Sequence, residues 1–156
     1  MNNKIFSSGF LLAFSFVSGM YCFAGYAQGN EQMERYELVT IADARKHSAK
    51  YVDVAPKGRS VGDMFVFDQP LLDENKVKIG NNSGFCISTK VGHSHQCQWT
   101  LTLPSGTIQV AGREAEKGSS YIAIVGGTGD YLGVKGQMIS TNNNDGTFTQ
   151  KLSYFF

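Results

Sequence analysis

The chain has 156 residues, 14 Lys+Arg against 13 Asp+Glu, a formal net charge of +1 and 42% hydrophobic residues. That length fits one domain. The charge excludes a strongly basic nucleic-acid surface, and the apolar share excludes a disordered chain.

In chain order, the first element is an apolar leader. Lys4 is the only charge before Glu31, and residues 5–23 are apolar or small. Gly25-Tyr26-Ala27 then offers the small-x-small pattern of a signal peptidase site. A membrane anchor would need an undiluted apolar run, and Ser7, Ser8, Gly9, Ser15, Ser18 and Gly19 interrupt this one. Residues 1–27 are therefore expected to be a cleaved signal peptide, 28–34 a short polar segment and 35–156 the folded domain. The expected location is secreted or periplasmic.

Beyond the leader, strand signals dominate. Arg35–Ile41, Met64–Leu72, Val77–Ile79 running into Phe85–Lys90, Tyr121–Val125, Val134–Thr141 and Thr147–Phe156 are predicted strands. The clearest alternation is Gln96–Leu103, with Cys97, Trp99, Leu101 and Leu103 on one face. Pro104-Ser105-Gly106 turns this strand into Thr107–Ala111. Ala42–Lys50 lacks an apolar stripe and reads as a surface connection. Pro70 suggests an edge or a bulge. The pattern predicts an all-β chain, an antiparallel sandwich or a closed barrel.

Without Cys22, two cysteines are left, and an exported chain meets an oxidising compartment. A hairpin centred on Val91-Gly92 would put Cys86 and Cys97 directly opposite each other on one face, within disulfide reach. A Cys86–Cys97 bridge is expected in preference to two buried thiols.

Other motifs favour plain structural readings. Val125-Gly126-Gly127-Thr128-Gly129 lacks the Lys-Ser/Thr of a phosphate loop and the helix of a dinucleotide site, so it reads as a glycine turn between strands. His93-Ser94-His95 puts two imidazoles on the face of the cysteines, but at a polar hairpin tip, and a disulfide would consume the thiols. No metal and no cofactor are expected. No Gly-x-Ser-x-Gly elbow occurs. Among the carboxylates, Glu37, Asp63 and Asp68 are of interest. One facing inward among aromatics would have a raised pKa and could move a proton.

Tyr36-Glu37-Leu38, Val61-Gly62-Asp63, Leu71-Leu72-Asp73, the 121–129 and 133–137 stretches and the terminal Lys151–Phe156 occur in the order of a known family. The chain resembles the allene oxide cyclase barrel superfamily, which includes the dirigent proteins. The resemblance implies an eight-stranded antiparallel barrel with an apolar cavity, assembled as a homotrimer. It implies a small hydrophobic partner (oxylipin, phenolic or polyketide-like) whose isomerase-type cyclisation or radical coupling is steered by shape. It implies Glu37, at the position of the family's first-strand glutamate, as acid/base, with Asp68 a second catalytic candidate. Tyr36, Phe67, Gln69, Trp99 and Tyr154 are the expected ligand-binding residues. The family pattern is not complete, since Val39 and Gln69 stand where asparagines are expected and Lys135 where dirigent proteins have arginine. The alternative is a non-catalytic carrier or a secreted interaction protein using the barrel as scaffold.

Overall fold

A computed structural model of the chain describes residues 34–45, 49–54 and 56–156. The expected leader, and the polar segment before Glu34, lie outside the described residues. Nine strands form: β1 (Tyr36–Asp43), β2 (Ala49–Val52), β3 (Met64–Leu72), β4 (Lys78–Lys90), β5 (Ser94–Leu103), β6 (Gly106–Ala115), β7 (Ser119–Gly129), β8 (Lys135–Asn142) and β9 (Thr147–Phe155). They make one antiparallel sheet in the order β1-β9-β8-β7-β6-β5-β4-β3-β2, and β1 also pairs with β3. The result is a closed eight-stranded barrel of β1 and β3–β9, with β2 as an extra strand.

The closing seam is short. β1 meets β3 only at Ile41↔Leu72 and Ala42↔Leu71, while β2 covers the other half of β3, from Ala49↔Phe67 to Val52↔Met64. Residues 68–70 of β3 have a ladder partner on the β4 side alone. Pro70, which has no N–H to offer, sits in that gap.

Period-2 alternation assigns the faces. In β5, Cys97, Trp99, Leu101 and Leu103 are buried, as expected, and Gln96, Gln98 and Thr102 are exposed. In β6 and β7, Ile108, Val110, Ile122 and Ile124 point inward, and Met138 and Leu152 complete the core from β8 and β9. Tyr36 and Tyr154 stack with ring centroids 5.7 Å apart. Tyr131 and Phe156 pack edge-on against Tyr154. This aromatic cluster lies where β1 begins and β9 finishes.

Three elements differ from the sequence expectation. Ala49–Val52 is β2, although its first two residues are expected in a connection; all four residues are exposed, so no apolar alternation marks them. The segments 77–79 and 85–90 are joined by Gly80–Gly84 into one strand. A Cβ at Gly80 would sit 1.9 Å from the carbonyl oxygen of Thr102, so a residue that weakens strand propensity is here a packing requirement. The glycine run is not a turn: β7 continues through Gly129, with a bulge opposite Gln109/Val110, and the turn follows at residues 130–133. At Gly127 a side chain would meet the carbonyl oxygens of Tyr131 at 2.5 Å and Thr107 at 2.6 Å.

Candidate active site in the barrel cavity

The end of the barrel away from the aromatic cluster is hollow. Its cavity is about 480 Å³, inside the range of small-molecule sites. Phe65, Phe67, Trp99 and Phe148 give it aromatic walls, and Ala42, Ala44 and Ala49 keep one side open by their small size. Trp99 is 3% exposed and meets Phe67 edge-on at 6.4 Å. Gly84 makes room for it, since a Cβ there would lie 2.4 Å from the Trp99 Cβ. Gln69, Asn82 and Gln150 are buried polar members of the wall. Gln150 Oε1 accepts a hydrogen bond from Thr40 Oγ1 at 3.0 Å.

Two glutamates line the cavity, Glu114 on its wall and Glu116 at its mouth. Glu114 projects from β6 on the face shared by Ile108, Val110 and Gly112, opposite His95 of β5. Ser140 Oγ donates to its Oε1 at 2.6 Å. Its Oε2 lies 3.7 Å from Cys97 Sγ and 4.0 Å from Cys86 Sγ. Loss of solvent pushes the Glu114 pKa up, against the opposing hydrogen bond from Ser140. Among the described residues no lysine or arginine forms an ion pair with Glu114. Burial thus favours its neutral form relative to an exposed carboxyl.

The sulfurs beside Glu114 belong to a disulfide. Cys86 and Cys97 are directly opposed across β4 and β5, with Cα atoms 4.0 Å apart and an S–S bond of 2.04 Å. The hairpin register expected from the sequence thus places the bridge, and Cys86 lies on the cavity wall.

The mouth is polar. Arg59 pairs with Glu116, and His95 Nε2 stands 4.0 Å from the same Glu116 oxygen. Burial lowers the His95 pKa, with Glu116 opposing and Arg59 reinforcing the shift. Arg59 is carried on the segment between β2 and β3, which Asp63 pins. The Asp63 carboxylate accepts hydrogen bonds from Val54 N at 3.0 Å, Ser60 N at 2.5 Å, Ser60 Oγ at 3.0 Å and the Tyr51 hydroxyl. These donors hold its pKa down at about 2, the Tyr51 hydrogen bond contributing most. The Val61-Gly62-Asp63 motif is therefore a structural clasp for the rim.

The expected site residues divide sharply. Phe67, Gln69 and Trp99 line the cavity. Tyr36 and Tyr154 stack in the aromatic cluster at the other end. Glu37 is exposed: Thr40 and Ala42 are the buried residues of β1, and an odd-numbered neighbour points outward. Asp68 is likewise exposed, and its Oδ1 accepts from Asn81 Nδ2 at 3.2 Å. Neither carboxylate lines the cavity. His93 is exposed at the hairpin tip, while His95 reaches the mouth. The sequence expectation ends this strand at Ala111, short of Glu114, whereas β6 runs on to Ala115. Continuing the alternation of Ile108 and Val110 by four residues would have put Glu114 on the inner face.

Comparison with solved structures places this geometry among known barrels. Pyocyanin demethylase superposes with a TM-score of 0.66 at 22% identity, covering 76% of this chain and 99% of that one. The pterocarpan synthase dirigent protein GePTS1 gives 0.66 at 16% identity, covering 88% and 98%. A heme-binding cyclase of [4 + 2] cycloaddition in neoabyssomicin biosynthesis gives 0.63 at 21% identity, covering 83% and 67%. A search of curated proteins finds no match to the sequence. The family model for dirigent-like proteins matches residues 23–154, and with the closed barrel in place the chain belongs to the dirigent-like family.

Proposed function

We propose that the barrel binds a small, largely apolar molecule of the oxylipin, phenolic or polyketide-like class and steers its cyclisation, with Glu114 as the acid. One observation carries this reading: Glu114, a carboxyl whose pKa is raised by burial, stands on the wall of a cavity of about 480 Å³ with aromatic walls. The fold relatives, which include a pterocarpan synthase and a [4 + 2] cyclase, support it.

The chemistry asked of the protein is modest. Phe65, Phe67, Trp99 and Phe148 restrict a flexible substrate to folded conformers in which its reacting atoms meet, removing entropy from the barrier. Glu114 donates a hydrogen bond or proton to an oxygen on which negative charge develops, and Ser140 holds the carboxyl in place. The aromatic part of the wall lowers the local dielectric, which strengthens that interaction. We further propose that the protein acts outside the cytoplasm, where Cys86–Cys97 is maintained, and assembles as the homotrimer that the family resemblance implies.

The test is native mass spectrometry of the protein from its own host, joined to Trp99 emission, which reports only on the cavity because the chain has one tryptophan. The expected result is a trimer retaining a cyclised small molecule, with Glu114→Gln retaining its uncyclised precursor. An empty protein whose Trp99 emission is unmoved by oxylipins, phenolics and polyketides would overturn binding. A molecule recovered in the same form from both proteins would overturn catalysis and leave a carrier.

A further inference from the structure

The Cys86–Cys97 bridge is poorly placed for a purely structural role. The β4–β5 hairpin already brings the two residues together through a ladder running from Asn81↔Thr102 to Lys90↔Ser94, so the covalent bond constrains little that the backbone leaves free. It is instead set in the wall of the cavity, and its two sulfurs are not equivalent. Cys86 is 7% exposed and lines the cavity, whereas Cys97 is 2% exposed and does not. Cys97 Sγ is the nearer of the two to Glu114 Oε2, at 3.7 Å against 4.0 Å. Attack at Cys86, the cysteine on the cavity wall, makes Cys97 the leaving sulfur, which is the one nearer Glu114, and protonation of the leaving sulfur assists exchange.

We propose that Cys86–Cys97 is a redox centre that exchanges with small-molecule thiols entering the cavity, with Glu114 as the acid for Cys97. The thiolate of the incoming molecule attacks Cys86 Sγ, forming a mixed disulfide as the Cys86–Cys97 bond breaks. The electron pair leaves on Cys97 Sγ, which takes the proton of Glu114. A second thiolate attacks the sulfur of the bound molecule and releases Cys86 as the thiolate. Overall, two thiols are oxidised to one disulfide, and the protein is reduced to a dithiol. The centre lies in the cavity assigned above to a small apolar molecule, but it does not depend on ring closure.

The other groups around it are compatible with this direction. His95 faces Glu114 across the ladder, and Glu116 and Arg59 pair at the mouth. Phe65 of β3 and Gly112 of β6 flank the cysteines and carry no charge. Burial biases both Glu114 and His95 toward neutral forms, so the bond is approached through a site of low charge.

The experiment incubates the folded protein with glutathione, or with the same thiol tethered to a large polymer, then quenches with acid and maps adducts by mass. Glutathione attached to Cys86 and absent from Cys97, with the polymer thiol reacting at least about tenfold more slowly, is the expected result. Glu114→Gln should slow the exchange about tenfold or more, with the adduct still on Cys86. An adduct on Cys97, equal rates for both thiols, or reaction only after unfolding would overturn the proposal. An unchanged rate in a folded Glu114→Gln variant would overturn the role of Glu114. If that variant fails to fold, the adduct map of the unaltered chain still decides the centre. Loss of ligand retention would leave this result untouched, so the two readings fail separately.

Discussion

Two carboxyls of this protein show how surroundings set the chemistry of one functional group. Asp63 collects hydrogen bonds from Tyr51, Ser60 and Val54 and is held ionised, with its pKa near 2. A depressed carboxyl pKa stabilises the fold above its unfolded value, and that contribution is lost as pH falls from about 4 toward 2. Asp63→Asn should therefore lower the melting temperature at pH 7 and flatten the acid limb of the stability profile between those values. Thermal melts across pH check it. Glu114 has the opposite sign. Its pKa is raised by burial, so its contribution is present below the ordinary carboxyl value and is lost as pH rises through the raised one. Glu114→Gln should match the parent protein near pH 4 and be the more stable near pH 8. A difference that does not change with pH would contradict burial as the cause.

At the level of elements, the glycines of β4 are spacers for the cavity wall. Gly84 is opposite Trp99 in the ladder, and a methyl group there would meet Gln98 O at 2.3 Å and Trp99 Cβ at 2.4 Å. Gly84→Ala should cost about 1–3 kcal/mol by overpacking and shift Trp99 emission as the ring is displaced, whereas urea unfolding with fluorescence detection would expose an unmoved ring. The strands themselves were readable wherever one face is buried and the other wet. β5 was assigned within two residues because Cys97, Trp99, Leu101 and Leu103 alternate with polar neighbours. β2 was not readable: a strand exposed on every residue carries no alternation, and its four pairs with β3 come from tertiary contact. Gly80 and Gly84 hid the middle of β4, because local propensity disfavours glycine while close strand packing requires it.

For the molecule as a whole, closure divides the interior into a packed end and a hollow end. Leu38, Tyr131 and Tyr154 pack on the core at one end, and Ala42 of β1, with Ala44 and Ala49, leaves space at the other. Ala42, 1% exposed and paired with Leu71 and Phe148, stands at this boundary. Ala42→Leu should occupy the cavity, abolish ligand-induced change in Trp99 emission and alter the melting temperature by only a few degrees, since it fills a void. Retained ligand binding in a folded variant would place the site elsewhere.

The sequence by itself determined the all-β class, the family and the disulfide. Period-2 alternation, turn glycines and the 86/97 register are local properties of the chain. It also brought Phe67, Gln69 and Trp99 into consideration. Only the tertiary structure decided which carboxyl meets the cavity. Alternation along β6 marks Glu114 as inward-facing, but which stretch of the inner face borders open space depends on how the strands close around the barrel. A shift of one residue exchanges inside for outside, and in the closed barrel Glu114 borders that space while Glu37 lies on the outer surface.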